Sequence, residues 1–231
     1  MNNTENIFTK LGGTFCRPFV EFQERLSKIK AYVFDWDGVF NDGIKTAKGG
    51  SPFSEVDAMG TNMLRLGHWL KYGELPCVGV ITGEDNPTAH YLSQREKFHA
   101  LYFNATNKLI AFDHFLKSNN LKAEQVAFIY DDVLDLGVAG TCGLRLLVKH
   151  AASPLFQHYA INNNRVEYIT AHDGHGVREA CELILSAFEK YDEAIGHRSV
   201  FDAIYQRYLN ERQQIKSKIY FIKEGEAVEA A

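Results

Sequence analysis

The chain has 231 residues, enough for one sizeable domain with a core of its own and an appendage. Its net charge of −4 gives no basic excess of the kind that nucleic-acid-binding proteins carry, and no stretch approaches the roughly 18 apolar residues of a membrane span. The polar N-terminus lacks the apolar core of a signal peptide, and the four cysteines form no CxxC pair. We therefore expect a soluble, cytoplasmic protein with free thiols and with neither nucleic acid nor a membrane among its partners.

The first elements of the chain lead to a pair of carboxylates. Residues 1–29 are expected to form an N-terminal extension that ends in a helix, Pro18–Lys28. The apolar run Ala31–Phe34 then predicts a buried strand, and Asp35 and Asp37 follow it directly. At the carboxyl end of such a strand, one carboxylate can attack a phosphorus atom while the other exchanges a proton with the leaving oxygen. Taken alone, the Asp-x-Asp pair is equally consistent with two solvated loop aspartates.

The segment after this strand is expected to form a small flap. Two short strands, Ile44–Ala47 and Phe53–Val56, flank a Lys48-Gly49-Gly50 turn and predict a β-hairpin over the strand ends. The segment is too short for a large cap domain. A helix, Thr61–Tyr72, follows it.

Strand and helix patterns then alternate up to residue 190. Further strands are predicted at 77–81, 100–103, 126–130, 144–148 and 168–170, and further helices at 87–98, 108–118 and 176–190. Alternation at this spacing is typical of a three-layer, Rossmann-like α/β core with a central parallel sheet, which we expect to span residues 30–190.

The last part of the chain, residues 191–231, differs in character. Apolar residues recur there at helical spacing among many charges and predict a long amphipathic helix, which needs an apolar surface on its own domain or on a neighbouring subunit. Its aromatic residues, Phe201, Tyr205 and Tyr208, are expected to pack on that surface or to form an interface. The terminal EGEAVEAA is expected to be disordered.

Polar groups follow three of the predicted strands. Asp35 and Asp37 follow the first, Thr82-Gly83 the second and Asp131-Asp132 a third, while Lys108 begins a helix near the same sheet edge. Converging carboxylates repel one another unless a divalent cation lies between them, and hard oxygen ligands suit Mg²⁺. A hydroxyl, a backbone amide and a lysine can hold phosphoryl oxygens. The pattern therefore predicts Mg²⁺-dependent phosphate chemistry.

These motifs together resemble a known superfamily. DWDGV, VITG, the lysine at 108 and IYDDVLD follow the order and spacing of the haloacid dehalogenase-like (HAD) phosphatases over residues 30–188. The resemblance implies hydrolysis of a phosphomonoester through an aspartyl-phosphate. Carried over by position, it implies that Asp35 is the nucleophile and a metal ligand and that Asp37 is the general acid/base and binds the metal through its carbonyl. It implies that Lys108 pairs with the nucleophile and the phosphate, and that Thr82 and Gly83 bind phosphate. It also implies that Asp131 binds the metal and that Asp132 supports the metal's water shell. Asp135 is expected to cap the next helix, a structural role.

A narrower resemblance is to the capless subgroup typified by 3-deoxy-D-manno-octulosonate (KDO) 8-phosphate phosphatase. DGVFNDG is similar to the subgroup's DGVLTDG, residues 53–60 to its F-x-x-x-D-G-x-G, and residues 173–179 to its G-G-x-G-A-V-R-E. Members are tetramers in which neighbouring subunits cover the active site. This implies a homotetramer here, with Arg178 near the substrate. Pairing of Arg178 with Glu182, one helical turn later, is an equally simple interpretation.

Three departures from the subgroup bear on the substrate. Tyr130 replaces the glycine before the paired aspartates, Glu84 replaces a frequent arginine, and Ser51-Pro52 stand where a flap lysine is expected. The leading substrate is KDO 8-phosphate, which would place the protein in lipopolysaccharide biosynthesis, but two cations are missing at the substrate end. The alternatives are another sugar phosphate, a nonulosonate 9-phosphate, and a non-catalytic homologue that binds a phosphorylated ligand.

Overall fold

Strand β2, Ala31–Phe34, lies inside a nine-stranded sheet in the computed structural model, which describes residues 3–46, 49–172 and 174–230. All four residues of β2 are buried. Tyr32 and Phe34 face one core layer, whereas Ala31 and Val33 face the other. Because both faces of the strand are covered, its sequence is a continuous apolar run rather than an alternating one.

The order of the parallel strands creates a crevice beside β2. Strand β3 (Cys77–Ile81) pairs with one side of β2 and β5 (Val126–Tyr130) with the other. The chain runs outward from β3 to β4 (Ala100–Phe103), then returns to β5 and runs outward through β6 (Leu144–Leu147) and β7 (Tyr168–Ile169). The direction of winding therefore reverses between β2 and β5, the kind of position at which open α/β sheets bind ligands.

Helices cover both faces of the sheet, which confirms the predicted three-layer α/β fold. The helices of the described residues are α1 Asn3–Leu11, α2 Phe19–Leu26, α3 Glu55–Tyr72, α4 Pro87–Arg95, α5 Lys108–Ser118, α6 Leu136–Ala139, α7 Pro154–Asn162, α8 Gly176–Ala187, α9 Tyr191–Val200 and α10 Ala203–Gln213. Those of one layer include α2, α3, α4 and α8, and those of the other include α5, α6 and α7. Helices α1 and α7 were not predicted, and each buries only one or two side chains. Within the described residues, no helix is long and apolar enough to span a membrane.

The flap is present as a segment, but the prediction of a β-hairpin is wrong for its described residues. None of residues 41–46 or 49–54 forms a strand, and Ala47 and Lys48 lie outside the described part of the chain. Helix α3 begins earlier than expected because Ser54 caps it, its hydroxyl accepting a hydrogen bond from the Val56 N–H at 3.1 Å. Residues Glu55 and Val56 are therefore helical, not the end of a strand.

The predicted long C-terminal helix is two helices that pack on the chain's own domain. Phe201 has a φ of 54°, which ends α9, and Asp202 caps α10. Tyr205 and Tyr208 are buried against α3, where the Trp69 indole donates to Glu211 at 2.7 Å. The apolar surface that this helical segment needs is thus provided by α3 and α8.

Residues 224–230 of the terminal segment are ordered and include a strand, contrary to the prediction of disorder, while Ala231 lies outside the described residues. Strand β8 (Lys218–Lys223) pairs in parallel with β4, and β9 (Glu226–Glu229) returns antiparallel to β8. The turn between them places Glu224 and Gly225 at positive φ, the geometry of a tight hairpin turn. At the opposite edge, β1 (Thr14–Phe15) pairs antiparallel with β7.

Candidate active site

Asp35 is held at the carboxyl end of β2 by its backbone and by its side chain. Its N–H continues the ladder to β5, donating to the Ile129 carbonyl at 2.9 Å. Its carboxylate is buried and accepts a hydrogen bond from the Lys108 ammonium at 2.5 Å. Burial raises the pKa of Asp35 well above its ordinary value, and the nearby Asp135 carboxylate raises it further, while Lys108 opposes both effects. A cation at this position is therefore needed to keep Asp35 ionised.

Lys108 is placed by the first turn of α5, where Asn107 caps the helix. Its ammonium lies 2.5 Å from Asp35 Oδ1 and 2.6 Å from Asp135 Oδ1. Burial works against the charged form, but the two carboxylates outweigh it and raise the pKa of Lys108 above its ordinary value. Lys108 is therefore a permanent cation between two buried carboxylates. Its contact with Asp35 is the one that the sequence predicted.

Three carboxylates converge where β2 and β5 end. One oxygen each from Asp35, Asp131 and Asp135 lies within 4.8 Å of the others, a set of hard ligands that suits Mg²⁺. Asp131 approaches so closely because residue 38 is glycine: a Cβ at Gly38 would lie 1.9 Å from Asp131 Oδ2. The same Asp131 oxygen lies 3.0 Å from Nε2 of His150, a contact that no sequence motif indicated.

Asp132 and Asp135 lie in different surroundings at the end of β5. Asp132 is exposed and caps the short 3-10 helix Val133–Asp135, its carboxylate accepting from the Val133 N–H at 2.7 Å. Asp135, expected only to cap a helix, is buried in the acidic cluster and pairs with Lys108. It also completes a capping box with the Asp132 backbone. The interpretation of Asp135 as a cap alone is therefore wrong.

Asp37 lies outside that cluster and contacts the flap instead. One carboxylate oxygen accepts a hydrogen bond from the Ser51 hydroxyl, and the other lies 3.3 Å from the Lys45 ammonium. Lys45 also pairs with Glu84 at 2.7 Å, so the flap supplies a cation from a position that the motifs did not indicate. Trp36, between the two aspartates, is buried and stacks on Phe40.

The groups expected to bind phosphate lie at the end of β3. Thr82 is buried, its N–H donating to the Tyr102 carbonyl at 2.8 Å, and its hydroxyl accepts from the Glu84 N–H at 3.5 Å. A methyl group added to Gly83 would meet no atom within 4 Å, so space for a ligand exists beside it. Tyr130, at the end of β5, is buried, and its hydroxyl donates to the Arg165 carbonyl at 2.7 Å.

Arg178 is not brought onto the acidic cluster. Its Nε donates to Glu182 at 2.7 Å, the helical pairing that was the alternative interpretation. Its backbone N–H donates to the buried Asp57 carboxylate at 2.9 Å. Nδ1 of His175 lies 3.1 Å from the same carboxylate. Asp57 and His175 line a cavity of about 590 Å³ under the flap. The contact between His175 and Asp57 was not predicted, because the two residues are far apart in sequence.

Removing the Lys108 charge should destabilise the protein strongly. Lys108→Met leaves Asp35 and Asp135 buried side by side without a cation, and the expected loss is about 3–5 kcal/mol of unfolding free energy in Mg²⁺-free buffer. Urea denaturation measures it, and added Mg²⁺ should restore part of the loss because the ion binds only the folded cluster. Lys117→Met, on an exposed position of the same helix, is the control and should stay within about 0.5 kcal/mol of the wild type. Equal midpoints for the two variants would contradict the ion-pair assignment.

No protein-family model matches the chain. Among curated proteins, it is 30% identical over 176 residues to 3-deoxy-D-manno-octulosonate 8-phosphate phosphatase KdsC of Escherichia coli (strain K12), an alignment that covers 74% of this chain and 87% of the relative. The solved structures that share its fold include one from Legionella pneumophila and one from Haemophilus influenzae. A HAD superfamily (subfamily III A) hydrolase from Legionella pneumophila is 26% identical with a TM-score of 0.64, covering 82% of this chain and 96% of the other.

The second is the cobalt-bound form of the deoxy-D-mannose-octulosonate 8-phosphate phosphatase of Haemophilus influenzae. It is 27% identical with a TM-score of 0.59, and the match covers 80% of this chain and 99% of that one. The alignments span most of each relative. The chain belongs to the KDO 8-phosphate phosphatase family of the HAD superfamily, a family of phosphomonoesterases.

Proposed function

We propose that this phosphomonoesterase requires Mg²⁺ and acts on a phosphorylated sugar acid, with KDO 8-phosphate as the leading substrate and KDO and phosphate as products. The observation that carries the proposal is the buried Asp35–Lys108 pair inside a cluster of three carboxylates. A nucleophile, a fixed cation and a set of oxygen ligands lie together there, as phosphoryl transfer requires. Membership of the family supports the choice of substrate.

In the proposed first step, a carboxylate oxygen of Asp35 attacks the phosphorus atom of the substrate. The bond between phosphorus and the ester oxygen breaks, and that oxygen takes a proton from Asp37, leaving an aspartyl-phosphate. In the second step, Asp37 takes a proton from a water molecule, and the oxygen of that water attacks the same phosphorus. Inorganic phosphate leaves, and Asp35 and Asp37 return to their starting protonation states.

The remaining groups would bind the metal ion and the negatively charged phosphoryl oxygens during both steps. Asp35, Asp131 and Asp135 would bind Mg²⁺, and the family resemblance adds the Asp37 carbonyl and a supporting role for Asp132. When bound, Mg²⁺ supplies positive charge to the phosphoryl oxygens. The hydroxyl and amides at Thr82 and Gly83 and the ammonium of Lys108 would hold the same oxygens, in line with their positions at the strand ends.

We further propose a homotetramer working in the cytoplasm in lipopolysaccharide biosynthesis. Exposed apolar side chains near the mouth of the site support an interface there: Val133, Leu134 and Leu155 are 58%, 67% and 83% exposed. In such an assembly Arg178 would contact substrate bound between subunits. The family resemblance is the reason for the tetramer and for the role of Arg178.

A substrate panel tests the proposal. Phosphate release is measured with and without Mg²⁺ on KDO 8-phosphate, a nonulosonate 9-phosphate and neutral sugar phosphates. We expect Mg²⁺-dependent release with the highest kcat/KM on KDO 8-phosphate. A preference for another compound would keep the phosphatase and replace the substrate. No release from any compound, with tight binding of one of them, would favour a non-catalytic binder of phosphorylated ligands.

A further inference from the structure

A buried polar chain connects the flap to Asp37. Ser51 and Asn86 are 1% and 2% exposed, and Asn86 caps helix α4. The Asn86 Oδ1 accepts a hydrogen bond from the Thr88 N–H at 3.1 Å, so its amide nitrogen must face the other way. That nitrogen donates to Ser51 Oγ at 2.8 Å. The backbone of α4 therefore fixes the direction of the next hydrogen bond.

Ser51 can donate only one proton. Because its oxygen already accepts from Asn86, its hydroxyl hydrogen is directed at Asp37 Oδ1. Oδ1 is then an acceptor in this chain, and the carbonyl oxygen of a carboxyl group is a better acceptor than its hydroxyl oxygen, so the exchangeable proton is favoured at Oδ2. The other oxygen, Oδ2, is left to exchange a proton with the leaving group or with water.

We propose that Ser51 is a positioning residue, which orients the Asp37 carboxylate so that proton transfer takes place at Oδ2. The inference rests on the proposed function, since it assigns a geometry to the acid/base step of that reaction. Ser51 does not touch the substrate; it acts through Asp37. Because Ser51 belongs to the flap, the placement of the flap and the orientation of the acid/base are one event.

The surroundings of Oδ2 fit this assignment. The Lys45 ammonium lies 3.3 Å from Oδ2, but its closer contact is with Glu84, at 2.7 Å. Glu84 can therefore keep the ammonium when a leaving oxygen takes its place beside Oδ2. The flap backbone is also anchored by Thr88, whose hydroxyl donates to the Ser51 carbonyl and lies 2.6 Å from Asn86 Oδ1. The Thr88 side chain thus anchors the flap backbone, whereas the Ser51 side chain contacts the Asp37 carboxylate.

The test uses two substrates that differ chiefly in how much the leaving oxygen needs a proton, phenyl phosphate and p-nitrophenyl phosphate. In Ser51→Ala we expect kcat/KM for phenyl phosphate to fall about tenfold or more, and for p-nitrophenyl phosphate less than about threefold. Asn86→Asp keeps the helix cap but presents an acceptor to Ser51, and it should show the same dependence on the leaving group. Thr88→Val, the control for flap anchoring, should change both substrates by the same factor.

Two results would overturn the proposal. Equal losses on the two substrates in Ser51→Ala would mean that Ser51 only anchors the flap, and unchanged kcat/KM would mean that Asp37 needs no partner there. A wild-type protein that releases phosphate from neither compound, nor from the sugar phosphates above, would contradict the proposed function and this inference with it.

Discussion

Replacing Asp35 by asparagine should abolish phosphate release, with a fall in kcat of about 10⁴-fold or more. An amide cannot form the acyl phosphate, and the change also removes the charge of one of the three carboxylates in the cluster. The measurement is phosphate release by the Mg²⁺-loaded variant on the best substrate of the panel. Asp113→Asn, which changes an exposed aspartate on α5, is the matched control and should keep wild-type activity.

The same variant should remain folded. Burial and Asp135 both raise the pKa of Asp35, so the ionised carboxylate is held at a cost in the native state. A neutral amide there should therefore leave the melting temperature unchanged or higher. Activity within tenfold of the wild type, in a preparation purified away from other phosphatases, would exclude Asp35 as the nucleophile.

Replacing Asp37 by asparagine should lower kcat about 10²- to 10⁴-fold while Mg²⁺ binding survives. The asparagine cannot exchange a proton, but the Asp37 side chain lies outside the cluster of Asp35, Asp131 and Asp135. Turnover and Mg²⁺ titration calorimetry measure the two properties separately. Asp42→Asn is the control in the same flap, since Asp42 is exposed.

Two results would contradict the prediction for Asp37. Unchanged turnover would show that another group moves the proton. A loss of Mg²⁺ affinity as large as that of Asp131→Asn would show that the side chain binds the metal, a role that its contacts with Ser51 and Lys45 do not suggest.

The parallel sheet and the main site residues could be predicted because both depend on local patterns. Buried strands are continuous apolar runs, and the polar residues directly after them meet at one sheet edge. The conformation of the flap could not be predicted. The residues Phe53–Val56 suit a strand, but Ser54 caps helix α3, so Glu55 and Val56 are helical. The terminal hairpin was not predicted because its turn places Glu224 at positive φ, a conformation that glutamate rarely adopts.

Asp135 shows why part of the site was beyond sequence reasoning. Its spacing from Asp132 fits a capping box, and it does form one. Its pairing with Lys108 depends on how α5 packs beside α6, which no local pattern reports. The same holds for Lys45 and Ser51, whose contacts with Asp37 arise only when the flap folds over the strand ends.

The most direct measurement is to trap the phosphorylated enzyme. Asp37→Asn is mixed with Mg²⁺ and p-nitrophenyl phosphate, whose leaving group needs little protonation, so the first step proceeds while the water-dependent second step is slow. After an acid quench, mass spectrometry should find close to one phosphoryl group per chain, on Asp35. Continued turnover with no phosphorylated protein, or a phosphoryl group on another residue, would contradict nucleophilic catalysis by Asp35.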